Sequence, residues 1–244
     1  MRKYAPCVTC FKKQLPSKSP IKMLPGELDD RGIIYVNCSN GHKSAVIYKT
    51  RRYKLLLDSG ARALIDGYTN ESIATFAAAL ERAYEFYLRV LLRGKGISKD
   101  IVDSAWKSIA SQSERQFGAF HILFLLENKI TLDLNPDISM IRNRTIHQGH
   151  VALEQDAITF GRLVYERIFE IEKTLDPYQN YADQEEKDAI ELQKTFIPSD
   201  IEYMVMEVTP VLVDKSNQAR VAENFSEFLS GVVHAMQEED RISK

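Results

Sequence analysis

From residue 69 onward the chain spaces its apolar residues three and four apart, the interval at which side chains return to one face of an α-helix. Ile73, Phe76, Ala77, Leu80, Tyr84, Tyr87, Leu88 and Leu91 form one such stripe. Thr69 or Asn70 is placed to cap it, Glu71 lies in its first turn, and Gly94 and Gly96 end it. Ser98 opens a second helix, over 99–114, with Ile101, Val102, Ala105, Trp106 and Ile109 on one side. A third, over 115–128, carries Phe117, Phe120, Ile122, Leu123, Leu125 and Leu126 and so little polar surface that burial is expected. Within it His121 reads as a satisfied core or interface histidine; Glu81 and Glu85 on the first helix read as solvated, with the lesser alternative that one of them faces the polar centre. A fourth helix, capped by Asp137 or Ser139, runs to His147, with Gly149 where a left-handed cap belongs. Leu153 to Thr174 is the fifth, and residues 55–67 form a short helix or turn ahead of them all.

Outside this block the period changes. Gly32–Asn37 and Lys43–Tyr48 read as two strands of a hairpin. Residues 11–31, with Pro16, Pro20, Pro25 and Gly26, read as loop. Beyond Pro177 the pattern predicts a helix over 183–194, one or two strands over 201–213 broken at Pro210, and a last helix over 219–236. The fold class expected is mainly α: an antiparallel helical bundle at 59–176, a small β module at 1–58 and a small C-terminal α/β appendage at 177–244.

Hydrophobic residues make up 44% of the 244 and charged ones 27%, ordinary values for a globular protein. No apolar run approaches the length that spans a bilayer, and the first residues lack the apolar core of a secretory signal. A cytoplasmic protein with no membrane partner is expected. The net charge of −2 conceals an asymmetry: residues 1–58 hold 12 Lys/Arg against 4 Asp/Glu, and residues 176–244 hold 6 against 15. A basic head suits a polyanion, RNA included; equally, the two ends can neutralise each other within the fold or across a dimer. The run Lys49 to Lys54, four basic residues in six, is a candidate phosphate contact, although such linkers are more often simply solvated.

All three cysteines fall in the basic head, as Cys7-x-x-Cys10 and, after 27 intervening residues, Cys38 followed by His42. An odd count with this spacing argues against a disulfide framework and for three thiolates and one imidazole around a tetrahedral zinc. Gly41 permits the tight turn that turns Cys38 and His42 toward one ion. The segment resembles a zinc ribbon, and most sites with four protein ligands are structural staples with no open position for catalysis. A redox Cys-x-x-Cys would sit at a helix N-terminus after a strand, a setting the sequence does not suggest here.

Polar chemistry in the helical block concentrates in Ile141-Arg142-Asn143-Arg144-Thr145-Ile146-His147-Gln148-Gly149-His150. Asn143 and His147, four apart, share a helix face, and Arg142 lies about 100° round from Asn143. An imidazole with a pKa near neutrality, an amide to orient it and guanidiniums to neutralise a phosphorane-like transition state suit metal-free cleavage of a phosphodiester. If the nucleophile is the substrate's own 2′-hydroxyl, the substrate is RNA. A helix C-terminus disfavours an anion, which Arg142 and Arg144 would have to outweigh, helped by a second copy across a dimer.

A helical array whose penultimate helix carries Arg142-Asn143-x-x-x-His147, followed by Gly149 and a long helix, resembles the HEPN superfamily over residues 69–175. The resemblance implies a metal-independent endoribonuclease working as a homodimer, with two Arg/His pairs meeting in a cleft between protomers. By position Arg142 and His147 become the catalytic pair and Asn143 the polar residue after the arginine; Arg144 and His150 are candidate substrate contacts. Many members serve as toxins or in antiphage defence, which implies an antitoxin or other regulatory partner. One toxin branch places a modifiable tyrosine two residues after the histidine; here that residue is Gly149, so that control is not expected. Two rival expectations stand beside cleavage. One is a module of the same fold that binds RNA, nucleotide or a protein without cutting; the other is an acidic tail that covers the basic head until displaced.

Overall fold

The computed structural model describes residues 2–14, 22–132, 136–207, 212–213, 219–220 and 222–243. Pro16, Pro20 and Pro210 lie outside them. In chain order the elements are β1 (Arg2–Pro6), α1 (Val8–Gln14), β2 (Met23–Leu28), β3 (Ile33–Asn37), β4 (Lys43–Lys49), α2 (Arg52–Ile65), α3 (Thr69–Gly94), α4 (Lys99–Lys107), α5 (Ser113–Asn128), α6 (Pro136–His147), α7 (Glu154–Thr174), α8 (Gln179–Lys194), β5 (Glu202–Glu207), β6 (Leu212–Val213), β7 (Ala219–Arg220) and α9 (Phe225–Ser243). The chain divides into two units. One comprises Met1–Arg51, Glu186–Pro210 and Val233–Lys244; the other comprises Arg52–Glu185 and Val211–Val232.

The first unit is built on a five-stranded sheet in the order β1-β2-β3-β4-β5. All its pairs are antiparallel except β4 with β5, which run parallel with Ser44 opposite Glu202 and Ile47 opposite Val205. The hairpin expected around Gly41 is present as β3 and β4. The turn from β2 into β3 is fixed by Asp29, whose Oδ1 accepts the N–H groups of Arg31 (2.9 Å) and Ile33 (2.8 Å). Ile33, Ala45 and Ile47 lie on one face, fully buried, and are covered by Ile190, Ile197 and Ile201. On the other face α1 packs across β4 and β5. Residues 11–31 are therefore not all loop: α1 continues to Gln14 and Met23–Leu28 is a strand. Pro25 is accommodated because β2 meets β3 only at Glu27 and Leu28, so the missing N–H costs no ladder bond on that side.

In the second unit α3 is the axis, in contact with α2, α4, α5, α6 and α7. Its stripe of Ile73, Phe76, Leu80, Tyr84, Tyr87, Leu88 and Leu91 is buried, as the spacing predicts. Two glycines let helices approach it. A Cβ on Gly60 of α2 would stand 2.8 Å from the Phe76 ring, and one on Gly161 of α7 would stand 2.6 Å from Phe225 and 2.7 Å from Phe76. Tyr165 of α7 donates to the Ala222 carbonyl (2.7 Å) and stacks on Phe228, seating the start of α9.

Several boundaries differ from expectation for physical reasons. The helix expected over 99–114 stops at Lys107, and Gln116, 2% exposed, turns its amide to the Ala110 carbonyl at 2.6 Å, satisfying the interruption. α5 therefore begins at Ser113. It is also less buried than expected: Phe120 and Phe124 face α3, whereas Ile122 (56% exposed) and Leu126 (58%) face solvent. The cap residues expected for α3 act elsewhere. Thr69 donates to the Ala152 carbonyl, and Asn70 both donates to the His150 carbonyl and accepts the Ala152 N–H, latching the segment after α6 to the start of α3. Asp137 and Ser139 lie inside α6 rather than capping it, because the helix starts at Pro136, the position where a missing N–H is harmless. The helix expected from residue 219 begins at Phe225, after Ala219–Arg220 has paired with Leu212–Val213.

No helix among the described residues is long and apolar enough to cross a membrane.

Candidate metal centre and the arginine–histidine helix

Cys7 follows β1, Cys10 lies in the first turn of α1, and Cys38 and His42 flank the β3–β4 turn whose Gly41 has φ +79°. The fold thus carries two short turns to one point. His42 Nδ1 lies 3.4 Å from both Cys10 Sγ and Cys38 Sγ and 3.8 Å from Cys7 Sγ, and Cys10 and Cys38 are 3.9 Å apart. All four ligand atoms lie within 4.8 Å of one another. A tetrahedral zinc with sulfur at about 2.3 Å and nitrogen at about 2.05 Å sets edges of about 3.8 Å between sulfurs and about 3.5 Å between sulfur and nitrogen. The four separations given above lie within about 0.3 Å of those values, and the Cys10–Cys38 separation is far too long for a disulfide; all three cysteines are free. The residues present can hold a metal ion.

The setting of Cys7-x-x-Cys10 corrects an expectation. It does follow a strand and open a helix, the arrangement of a redox dithiol. What separates it from one is the third thiol and the imidazole, brought in from the neighbouring hairpin. Burial pushes the Cys7 thiol up, but the Cys10 backbone N–H and the Ser44 hydroxyl outweigh it, and the thiol ends below its ordinary value. Cys38 is lowered in the same way, burial opposed by the backbone N–H groups of His42 and Asn40. Donors aimed at Cys7 and Cys38 favour the thiolates that a metal requires; Cys10 shifts the other way, the Asn40 amide lowering it but burial and the neighbouring Cys7 and Cys38 together raising it.

Further residues surround the ligands. Ser44 Oγ accepts the Val8 N–H (3.0 Å) and lies 3.6 Å from Cys7 Sγ; the Asn40 amide lies 3.5 Å from Cys10 Sγ. Glu202 of β5 accepts the Thr9 hydroxyl (2.8 Å) and the Lys12 ammonium (3.2 Å), and these two hold its carboxyl below the usual range. Ser44 and Glu202 escape a sequence reading because only the parallel β4/β5 register brings them together.

Four basic residues of the head are paired with carboxylates. Lys12 pairs with Glu202, Lys49 with Glu207 and Arg51 with Glu186, three bonds that join the two ends of the chain. Lys54 pairs with Glu172. Of the two expectations for the charge asymmetry, neutralisation within the fold describes these residues.

On α6, Ile141 and Thr145 are buried, Arg142 is half-buried, and Asn143, Arg144 and His147 are exposed. Arg142 Nη2 donates to Glu81 Oε1 (3.2 Å) and Ser113 Oγ (3.1 Å). Glu81, expected in solvent, is thus the partner of the motif arginine. No hydrogen bond or ion pair joins Arg142, Asn143 and His147 to one another, and His147 has no polar partner among the described residues. Arg142 and His147 point to different sides of the helix, as a separation of five residues and about 140° dictates. Arg144 and His150 do meet: Arg144 Nη2 donates to His150 Nε2 at 3.3 Å, and that nitrogen lies 3.9 Å from Asp156. Gly149 takes φ +66°, the left-handed conformation expected where α6 ends. Among the described residues, two buried side-chain polar atoms lack partners, His121 Nδ1 and Thr145 Oγ1, so the core alternative expected for His121 leaves one ring nitrogen unsatisfied. No family model, no curated protein and no solved structure matches this chain.

Proposed function

We propose that this chain is a metal-independent endoribonuclease of HEPN type, acting as a homodimer, with the Cys7, Cys10, Cys38 and His42 cluster as a structural zinc site. The observation that carries the reading is the arrangement on α6. Asn143, Arg144 and His147 face solvent, while Arg142 is anchored through Nη2, its Nε and Nη1 having no hydrogen-bond partner among the described residues. In the reaction the RNA 2′-oxygen bonds to the adjacent phosphorus as its proton passes to one imidazole. The bond from phosphorus to the 5′-oxygen breaks as that oxygen takes a proton from a second imidazole, supplied by His147 of the other copy. The Arg142 guanidinium stabilises the phosphorane-like charge. The products are a 2′,3′-cyclic phosphate and a 5′-hydroxyl. A role as a toxin or antiphage effector under a regulatory partner follows from the same resemblance.

Incubation with total tRNA and mRNA in the presence of chelator, followed by mapping of the ends, tests this. Cyclic phosphate ends are expected with the unmutated chain. His147→Ala is expected to lower the rate by about 10²–10⁴-fold and Arg142→Ala by about 10²–10³-fold, with folding intact. Cleavage at the parent rate by either variant overturns the reading.

One observation favours a second reading. Glu81 already neutralises Arg142, which suits an RNA-, nucleotide- or protein-binding module that does not cut. That module would bind RNA with a steep salt dependence and leave no cyclic phosphate.

A further inference from the structure

The metal ligands are surrounded by side chains from two neighbouring strands, and one of those strands comes from the far end of the chain. Ser44 on β4 is 1% exposed. Its oxygen accepts the Val8 N–H and lies 3.6 Å from Cys7 Sγ, so its one proton is available to a thiolate there. Directly opposite Ser44 in the parallel register stands Glu202 on β5. Its two carboxylate oxygens take separate partners: Oε2 accepts from Thr9 at 2.8 Å and Oε1 from Lys12 at 3.2 Å. Thr9 and Lys12 bracket Cys10 on α1. The helix turn that presents two of the thiols is therefore gripped by one residue from each of two adjacent strands.

We propose that Ser44 and Glu202 form the outer shell of the metal centre, so that metal binding and the seating of β5 are linked. The physical reason is reciprocal. A zinc that fixes Cys7 and Cys10 also fixes Thr9 and Lys12 in the positions that receive Glu202. A β5 strand in its place holds α1 where its thiols converge with Cys38 and His42. Each event removes part of the ordering cost of the other, and the coupling must be equal in both directions. The inference rests on the cluster being a metal centre and is independent of whether the chain cleaves RNA.

The test uses the full chain. Zinc affinity is measured by competition with a chromophoric chelator, for the parent and for Glu202→Gln, which keeps the size of the side chain and removes its charge. The variant is expected to bind zinc about tenfold more weakly. Hydrogen exchange is then followed in zinc-loaded and chelator-stripped parent protein. Residues 202–207 are expected to exchange faster once stripped, while the buried stripe of α3 keeps its protection. Equal zinc affinity of parent and variant, or exchange in 202–207 that ignores the metal, overturns the outer shell. Failure of the parent to bind zinc at all overturns the metal centre itself. Ser44→Ala provides a second variant with a readout beyond folding. In the cobalt-substituted protein it is expected to shift the sulfur-to-metal charge-transfer band, and an unmoved band removes Ser44 from the shell.

Discussion

Arg142 and Glu81 meet across 3.2 Å, each with roughly a quarter of its side chain in water. An ion pair so placed is screened and contributes modestly, on the order of 1 kcal/mol, yet it ties the guanidinium to α3 through one nitrogen. Glu81→Ala is expected to lower the thermal midpoint by about 2–4 °C. A differential scan of the two proteins checks this, and an unchanged midpoint would show that the pair contributes nothing to stability. The partnership was illegible in the sequence because Glu81 and Arg142 lie 61 residues apart. The four metal-ligand candidates were legible for the opposite reason. Their chemistry is rare and their spacing local, so the convergence of Cys7, Cys10, Cys38 and His42 needed no knowledge of the sheet. Ser44 and Glu202, ordinary residues at ordinary positions, gave no such signal.

Among the elements, α3 could be read almost residue by residue, since its apolar spacing and its burial coincide. The face of α5 could not. Apolar residues on all sides announce a helix without saying which side is covered, and the covered side proved to be that of Phe120 and Phe124. Burial of Tyr84 and Tyr87 against α5, and of Tyr165 against the start of α9, also sets a chemical property of three tyrosines. It pushes the Tyr87 and Tyr165 hydroxyls up to about 12 and raises Tyr84 further still. A tyrosine whose folded pKa exceeds its unfolded value of about 10 contributes stability that is complete below that pH and is lost as pH climbs through the folded pKa. The unfolding free energy is therefore expected to be flat with respect to tyrosine ionisation up to about pH 10 and to fall steeply between about pH 10 and 12. Denaturant unfolding at several alkaline pH values, with tyrosinate absorbance as the titration readout, checks it. Native tyrosines that all ionise near pH 10 would contradict the packing described.

At the scale of the molecule, the C-terminal segment belongs to two cores. Ile190, Ile197 and Ile201 cover Ile33, Ala45 and Ile47 in one unit, while Phe225 and Phe228 pack on Tyr165 in the other. Removing the acidic tail is consequently not a clean way to ask whether it masks the basic head. A chain truncated after Glu185 would lose the fifth strand and uncover three fully buried side chains. Such a truncation is expected to aggregate or to lose protection throughout β3 and β4, and also around Phe76 of α3 and Tyr165 of α7, which lose Phe225 and Phe228; hydrogen exchange on the soluble fraction would resolve it. A β3–β4 hairpin as protected as in the full chain would show that the N-terminal sheet stands without its last strand.

Thr9 and Glu202 are 193 residues apart in sequence, yet they share a hydrogen bond. A ribosome adding 5–20 residues per second needs roughly 10–40 s to make that interval. Throughout it the cysteine-bearing head is outside the tunnel without its closing strand, while the helices between have time to assemble. Synthesis therefore completes the five-stranded sheet only after the four candidate ligands and all the helices up to α8 have been made.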